Sequence, residues 1–181
     1  QLRVHLKGDE YLDEIHELLF QDVVDFYFSA IKKFLSNKKS SSMVGFGRYF
    51  PKKAIGDEII DWNESSDYIF KMVRARSPII GSVTFSTPAW DKVMVWRVEK
   101  STVAEYIGAC GQVIDREKEK GILVKTGDTA IWITEITVGN LDKIIPDFPI
   151  GTMFVSNWIM EMATVKDELR NINKRLLGFG T

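Results

Sequence analysis

The side chains in this sequence that are most able to do chemistry are basic, and most of them fall in one stretch. Residues 32–53 contain seven lysines and arginines and no aspartate or glutamate. Such an array can bind phosphate oxygens, with an affinity that falls as the salt concentration rises. The candidate anion-binding residues in this stretch are Lys38, Lys39, Arg48, Lys52 and Lys53.

The composition of the same stretch also allows a purely structural interpretation. Residues 36–47, SNKKSSSMVGFG, have the serine, lysine and glycine content of a linker between packed units. Lysines keep a linker solvated without binding a ligand. A solvated linker and a basic strap that lies on phosphates are therefore both open.

Two further arginines, Arg74 and Arg76, come at the predicted end of a helix. That helix must end before Pro78, because proline has no N–H and disfavours helical geometry in Ser77. Positive charge in a last helical turn is favoured by the helix dipole, which is a structural reason for both arginines. The alternative is that they point outward together and hold an anion.

The other reactive residue types form no catalytic or metal-binding set. There is no glycine-rich phosphate loop after a strand, no zinc-type spacing of Cys and His, and no local Ser-His-Asp arrangement. His5 and His16 fall in a predicted strand and a predicted helix, which favours structural roles. Cys110 is the single cysteine, which excludes an internal disulfide and fits a reducing cytoplasm. We expect no catalytic residue and no metal in this segment.

Composition sets wide limits on the class of protein. The chain has 181 residues and a net charge of −1, so as a whole it is not a general nucleic-acid binder. It has no apolar run of 18 residues and no signal peptide, so we expect a cytoplasmic protein without a membrane span. The first residue is glutamine, which suggests a cut end.

The N-terminal third predicts a short strand and a long helix. Residues 2–6 alternate apolar and polar, and Asp9 is a candidate helix cap. An apolar stripe then indicates an amphipathic helix to about Leu35, which needs a partner surface. The stripe consists of Leu12, Ile15, Leu19, Val23, Phe26, Ala30 and Phe34.

The remaining two thirds predict a helix, an antiparallel sheet and a second helix. Asn63 is a candidate cap of the first of these helices, and the apolar period changes from helical to alternating after Gly81. Strands this short and this often interrupted suggest a small antiparallel barrel. Trp96 and Trp132 on its strands could stack nucleic-acid bases or could pack in the core.

The C-terminal tail predicts a helix from about Val155 to Leu177. Its apolar residues recur at spacings of 3, 4, 3 and 4, which is typical of a helix laid on its own domain or on a second copy. These residues are Met162, Val165, Leu169, Ile172 and Leu176.

Three stretches in order, IDWNESSDYIFKMVRARSPIIGSVTF, DKVMVWRV and GILVKTGDTAIWITEI, resemble the C-terminal region of the folate-dependent formyltransferases. The resemblance covers roughly residues 57–138. One position departs from the family pattern, because Ile80 stands where a second proline is frequent. The matching positions are Ile60, Asp61, Trp62, Arg74, Ala75, Pro78 and Gly81.

The resemblance implies an α+β protein in four parts. Residues 1–36 would be the terminal strand and helix of a Rossmann-like catalytic domain, and residues 37–60 a basic linker. Residues 61–154 would form an OB-like antiparallel β-barrel with its leading helix, and residues 155–181 a C-terminal helix. The catalytic residues of the family would lie upstream of this chain.

The resemblance also implies a function for the whole protein. A methionyl-tRNA formyltransferase would hold initiator methionyl-tRNA on its barrel and basic linker, while the missing domain transfers a formyl group from 10-formyltetrahydrofolate to an amine. Arg74 and Arg76, near the groove between the domains, would meet the anionic end of the acceptor.

Two alternatives stay open beside it. A sugar-nucleotide N-formyltransferase would use this module for a homodimer, through the barrel or the tail, and would act on an amino sugar nucleotide. The near-neutral charge and the apolar tail favour that reading. The other alternative is a stand-alone, non-catalytic binding module.

Overall fold

A computed structural model of the chain describes residues 3–39, 45, 47, 54, 56–87, 89–102, 106–139, 141–155, 165–166, 169–170 and 172. The described part contains two helices that are described from end to end and one six-stranded sheet. The helices are α1 (Leu12–Leu35) and α2 (Ser66–Arg76), and the strands are β1 (Ser82–Ser86), β2 (Asp91–Lys100), β3 (Val113–Glu117), β4 (Gly121–Lys125), β5 (Ala130–Val138) and β6 (Phe154–Val155).

The sheet is antiparallel throughout and curls until its two edges meet. Its strand order is β3-β4-β5-β2-β1-β6. An antiparallel bridge between Gln112 and Met153 joins the segments beside the edge strands β3 and β6. The Val113 N–H donates to the Thr152 carbonyl at 2.8 Å and the Phe154 N–H to the Gly111 carbonyl at 2.8 Å. The predicted OB-like antiparallel architecture is confirmed.

The interior of the curled sheet is filled by alternating residues of its strands. Ile122, Val124, Ile131 and Ile133 are fully buried on the inner face, together with residues of α2. Trp62 lies in the same core at 2% exposure. The alternating apolar residues predicted from the sequence therefore form the inner face of the curled sheet.

The outer face of β4 and β5 carries a second, smaller core. Leu123, Ala130 and Trp132 are buried there, with Tyr106 and Ile114 packed against them. Trp132 is therefore a core residue, which is one of the two roles that the sequence allowed. Trp96 is half-buried; its indole N–H donates to Thr137 Oγ1 at 2.8 Å.

The N-cap of helix α2 lies two residues after the proposed cap Asn63. Its N-cap is Ser65, whose Oγ accepts from the Tyr68 N–H at 3.2 Å. The backbone and side-chain N–H groups of Asn63 instead donate hydrogen bonds to Asp61 Oδ1. The prediction of Asn63 as the cap is wrong because Asn63 lies in a turn before the helix, in which the Glu64 N–H donates to the Asp61 carbonyl at 3.2 Å, and the helix begins only after Ser65.

Helix α1 ends at Leu35 as predicted, but Asp9 is not its cap. Tyr11 is the residue before the first turn, and its N–H donates to Glu14 Oε2 at 2.7 Å. None of the residues of helix α1 is buried. No helix in the described part of the chain has the length and apolarity needed to cross a bilayer. The large apolar side chains of α1 that are exposed are Leu19, Phe20, Val24, Tyr27, Phe28, Ile31, Phe34 and Leu35.

The two ends of the chain differ in part from expectation. Residues 3–6 do not form the strand predicted over 2–6, and no other strand of the described part pairs with them. Val155 belongs to β6 rather than to a C-terminal helix. Most of the helix predicted over 155–177 lies outside the described residues; Val165, Leu169 and Ile172 are helical and about half exposed.

We predict that Gly111→Ala destabilises the fold more than Gly139→Ala. Both glycines have positive φ, +87° and +61°, so alanine at either position costs about 1–2 kcal/mol of backbone strain. A Cβ at Gly111 would also lie 2.1 Å from the Phe154 carbonyl oxygen, whereas Gly139 has nothing within 4 Å. That clash adds about 1–3 kcal/mol. Urea unfolding of both variants measures the difference, and equal losses would contradict the close approach at the sheet closure.

Candidate functional site

The segment before α1 is held by Arg74 at the end of α2. The Arg74 Nε donates to the Glu10 carbonyl at 3.0 Å and its Nη1 to the Gly8 carbonyl at 2.5 Å. Its guanidinium carbon lies 4.9 Å from the centre of the Phe70 ring. Two of its donors are thus used inside the chain, and a role of Arg74 in binding an anion stays a prediction.

Tyr11 covers part of an edge of β2 with which no strand of the described residues pairs. Strand β1 pairs with β2 only as far as Val95. Beyond that point the Tyr11 hydroxyl donates to the Val98 carbonyl and accepts from the Val98 N–H, both at 3.0 Å. Burial raises the pKa of the Tyr11 hydroxyl, although the Val98 bond and the Arg97 charge oppose the shift. The phenol therefore stays neutral and keeps its donor.

Arg97 adds an ionic contact beside Tyr11. The pairing of β2 with β5 is irregular on both sides of Arg97, and bulges of this kind redirect a side chain. The Arg97 guanidinium lies 4.0 Å from the centre of the Tyr11 ring. Its Nη2 lies 2.8 Å from Asp13 Oδ2, and its Nη1 lies 3.9 Å from Glu14 Oε1. We call Tyr11, Asp13, Arg74, Arg97 and Val98 the helix–barrel junction.

A second contact joins the start of α2 to the turn between β4 and β5. Asp128 accepts from the Ser66 N–H at 2.8 Å and from the Ser66 hydroxyl at 3.3 Å. The Gly127 N–H donates to the Glu64 carbonyl at 2.9 Å. Burial alone would raise the pKa of Asp128, but hydrogen bonds from Ser66, Thr126 and Thr129 lower it overall. The Gly127–Asp128 turn and the segment that follows Trp62 therefore bind each other directly.

The predicted basic residues that the structure describes do not form one cluster. Lys38 and Lys39 are exposed just beyond the C-terminal end of α1, after Lys32 and Lys33 in its last turn. Arg74 contacts the chain at the opposite end of α1, and a 24-residue helix spans about 36 Å. Arg76 is half-buried. Arg48, Lys52 and Lys53 lie outside the described residues.

A groove of about 510 Å³ lies between the segment before α1 and the first turns of that helix. His5, Lys7, Glu10 and Glu17 line it among others. The backbone N–H groups of Lys7 and Gly8 lower the pKa of Glu10 to about 2. Among the described residues, no group of three His, Cys, Asp or Glu side chains could hold a metal ion.

The family model "Formyl transferase, C-terminal domain" matches residues 55–145. A methionyl-tRNA formyltransferase from Halothermothrix orenii is 36% identical over 119 residues, which are 63% of this chain and 36% of that protein. One from Fusobacterium nucleatum is 25% identical over 139 residues, 74% of this chain and 43% of that protein. The chain therefore spans less than half the length of these relatives.

Solved structures of HypX from Aquifex aeolicus share the fold. A variant of HypX has a TM-score of 0.59 at 16% identity, over 82% of this chain and 28% of that one. HypX in complex with tetrahydrofolic acid has a TM-score of 0.52 at 19% identity, over 67% and 21% of the two chains. At these identities the likeness shows the fold alone.

We predict that Tyr11→Phe lowers the free energy of unfolding by about 1–3 kcal/mol, because it leaves the buried Val98 N–H and carbonyl without their partner. The control is Tyr68→Phe on α2, where the residue is 55% exposed and the change should stay within about 0.5 kcal/mol. Chemical denaturation measures both. Equal effects would show that the Tyr11 hydroxyl does not hold the edge of β2.

We predict that the contribution of Asp128 to stability is lost in acid. The folded-state pKa of Asp128 is lowered from its ordinary value of 3.8, so the folded chain favours the carboxylate. The contribution is complete above the unfolded pKa and disappears as the pH falls through the folded one. The difference in unfolding free energy between the unsubstituted chain and Asp128→Asn should be largest at neutral pH and should shrink as the pH falls below the ordinary pKa of 3.8. A difference that stays constant with pH would contradict this.

Proposed function

The chain belongs to the formyl transferase family through its C-terminal domain, and we propose that it is the acceptor-holding, non-catalytic part of a methionyl-tRNA formyltransferase. The observation that carries the proposal is the exposed lysine group at the C-terminal end of α1. Lys32, Lys33, Lys38 and Lys39 begin an acid-free basic stretch that leads into the matched domain. Lysines placed this way bind the phosphates of a nucleic acid without reading its sequence.

The transfer itself belongs, in this proposal, to a unit that packs on α1. Eight large apolar side chains of α1 are exposed in the described part of the chain. Burying one such side chain fully is favourable by about 1.5–3 kcal/mol, so the helix favours a covering partner. The relatives are more than twice as long as the matched parts, which leaves room for a catalytic unit ahead of this segment.

The cofactor of the whole protein would be 10-formyltetrahydrofolate, bound by the catalytic unit. A solved structure with this fold, HypX, was crystallised with tetrahydrofolic acid, which supports a folate. Both relatives described above are methionyl-tRNA formyltransferases, so we propose initiator methionyl-tRNA in the cytoplasm as the acceptor rather than an amino sugar nucleotide.

We predict that the chain binds initiator tRNA with an affinity that falls steeply with salt. The double variant Lys38→Ala/Lys39→Ala should reduce the slope of log K against log salt by about 2, one for each lost phosphate contact. The matched control is Lys92→Ala/Lys118→Ala, which removes two exposed lysines elsewhere in the described chain. Filter binding at several salt concentrations measures the slopes.

Two outcomes would contradict the proposal. One is binding that does not respond to salt. The other is an equal loss of slope in the two double variants, since the basic stretch would then contribute no more than any other surface lysine.

A further inference from the structure

We infer that the helix–barrel junction, and not the basic stretch that connects α1 to the barrel, fixes the direction of α1. Tyr11, Arg74 and Arg97 are then positioning residues. Their importance for formyl transfer rests on the proposed function, because only a catalytic unit packed on α1 would be oriented by them. The inference about the direction of α1 stands on the described contacts alone.

The length of the covalent connection does not by itself set that direction. Helix α1 ends at Leu35, and Ile59 bridges to Val83 of β1. Chain length limits the distance between two such points, but it does not fix the angle between the elements that contain them.

The opposite end of α1 is held at two separate points. Tyr11 is bound to β2 across 87 positions in the sequence, and Arg74 on α2 binds the carbonyls of Gly8 and Glu10 across more than 60. One anchor would leave the helix free to pivot. Two anchors on different elements of the barrel domain define both the position and the direction of the first turn.

The contacts at the junction are directional, which is what positioning requires. The Tyr11 hydroxyl makes two hydrogen bonds to one residue, so it is fixed along the length of β2. The Arg97–Asp13 pair is about one-third exposed on each side, so solvent weakens its Coulomb term. Arg97 therefore acts chiefly by stacking on Tyr11 and by its directed bond to Asp13.

A consequence follows for the lysines at the far end of α1. If the junction sets the direction of the helix, Lys32 and Lys33 stay at a fixed place relative to the barrel, about 30 Å along the helix from its first turn.

The test is the distance between spin labels on α1 and on the barrel, measured by double electron–electron resonance. Labels are placed through Ser29→Cys on α1 and Glu119→Cys in the β3–β4 turn, both exposed, after Cys110→Ser removes the native thiol. Three chains are compared. They are the labelled chain itself, the same chain with Tyr11→Phe/Arg97→Leu, and the same chain with Gly-Ser-Gly-Ser inserted after Ser41.

We expect a narrow distribution for the labelled chain and an unchanged one for the insertion. The junction variant should give a distribution about twice as wide, because α1 then opens locally from β2. A matched arginine control, Arg116→Leu, removes an ion pair with Asp147 elsewhere on the barrel and should change nothing. If the double variant does not fold, the single variant Tyr11→Phe, which keeps the aromatic ring, replaces it in the distance measurement.

Broadening by the insertion, or an unchanged distribution in both junction variants, would overturn the inference. Neither result touches tRNA binding, which depends on the lysines. Conversely, a chain that fails to bind tRNA but shows the expected distances would refute the proposed function and keep the junction.

Discussion

Closure of the curled sheet is the constraint on which the rest of the structure depends, and Trp62 lies at that closure. Its indole N–H donates to Thr84 Oγ1 at 2.9 Å, and that hydroxyl donates to the Val155 carbonyl of β6. The Trp62 ring is stacked on Phe154 at 6.0 Å. Without the closure, β3 and β6 would be open edges, which attract other strands. Helix α2 packs on this sheet, and the junction joins α1 to it.

Much of the fold could be predicted from the sequence, because apolar period and proline position act locally. They gave the end of α1 at Leu35, the end of α2 before Pro78 and the antiparallel strands. The caps were wrong because residue type alone does not place the first helical turn. Asn63 and Ser65 are both suitable cap types, and the turn from Asp61 to Glu64 delays the helix until after Ser65. The sequence allowed Trp132 to be either a platform for base stacking or a core residue. The structure shows a core residue, because Tyr106 and Ile114 pack against its cluster.

The junction was invisible for a different reason. Arg74 has the position of a helix-end charge, and its actual partners are 64 and 66 residues away in the sequence. Tyr11 has no pattern that marks it, since its role exists only because β1 stops pairing at Val95. The free edge of β2 near Val98 exists because β1 is shorter than β2. The sequence of β2 or of the Tyr11 segment taken alone does not show it. Lys38 and Lys39 were found by composition, and the structure adds that they follow the exposed end of α1.

Together these features describe a barrel domain joined to a helix whose large apolar side chains are exposed and whose C-terminal end carries exposed lysines. The central claim is that this segment holds the acceptor and does not transfer the formyl group. Its most direct test incubates the purified 181-residue protein with initiator methionyl-tRNA and 10-formyltetrahydrofolate, and measures tRNA binding and formylmethionyl-tRNA together. The account predicts binding without product. Product formed by this chain alone, or no binding at low salt, would contradict it.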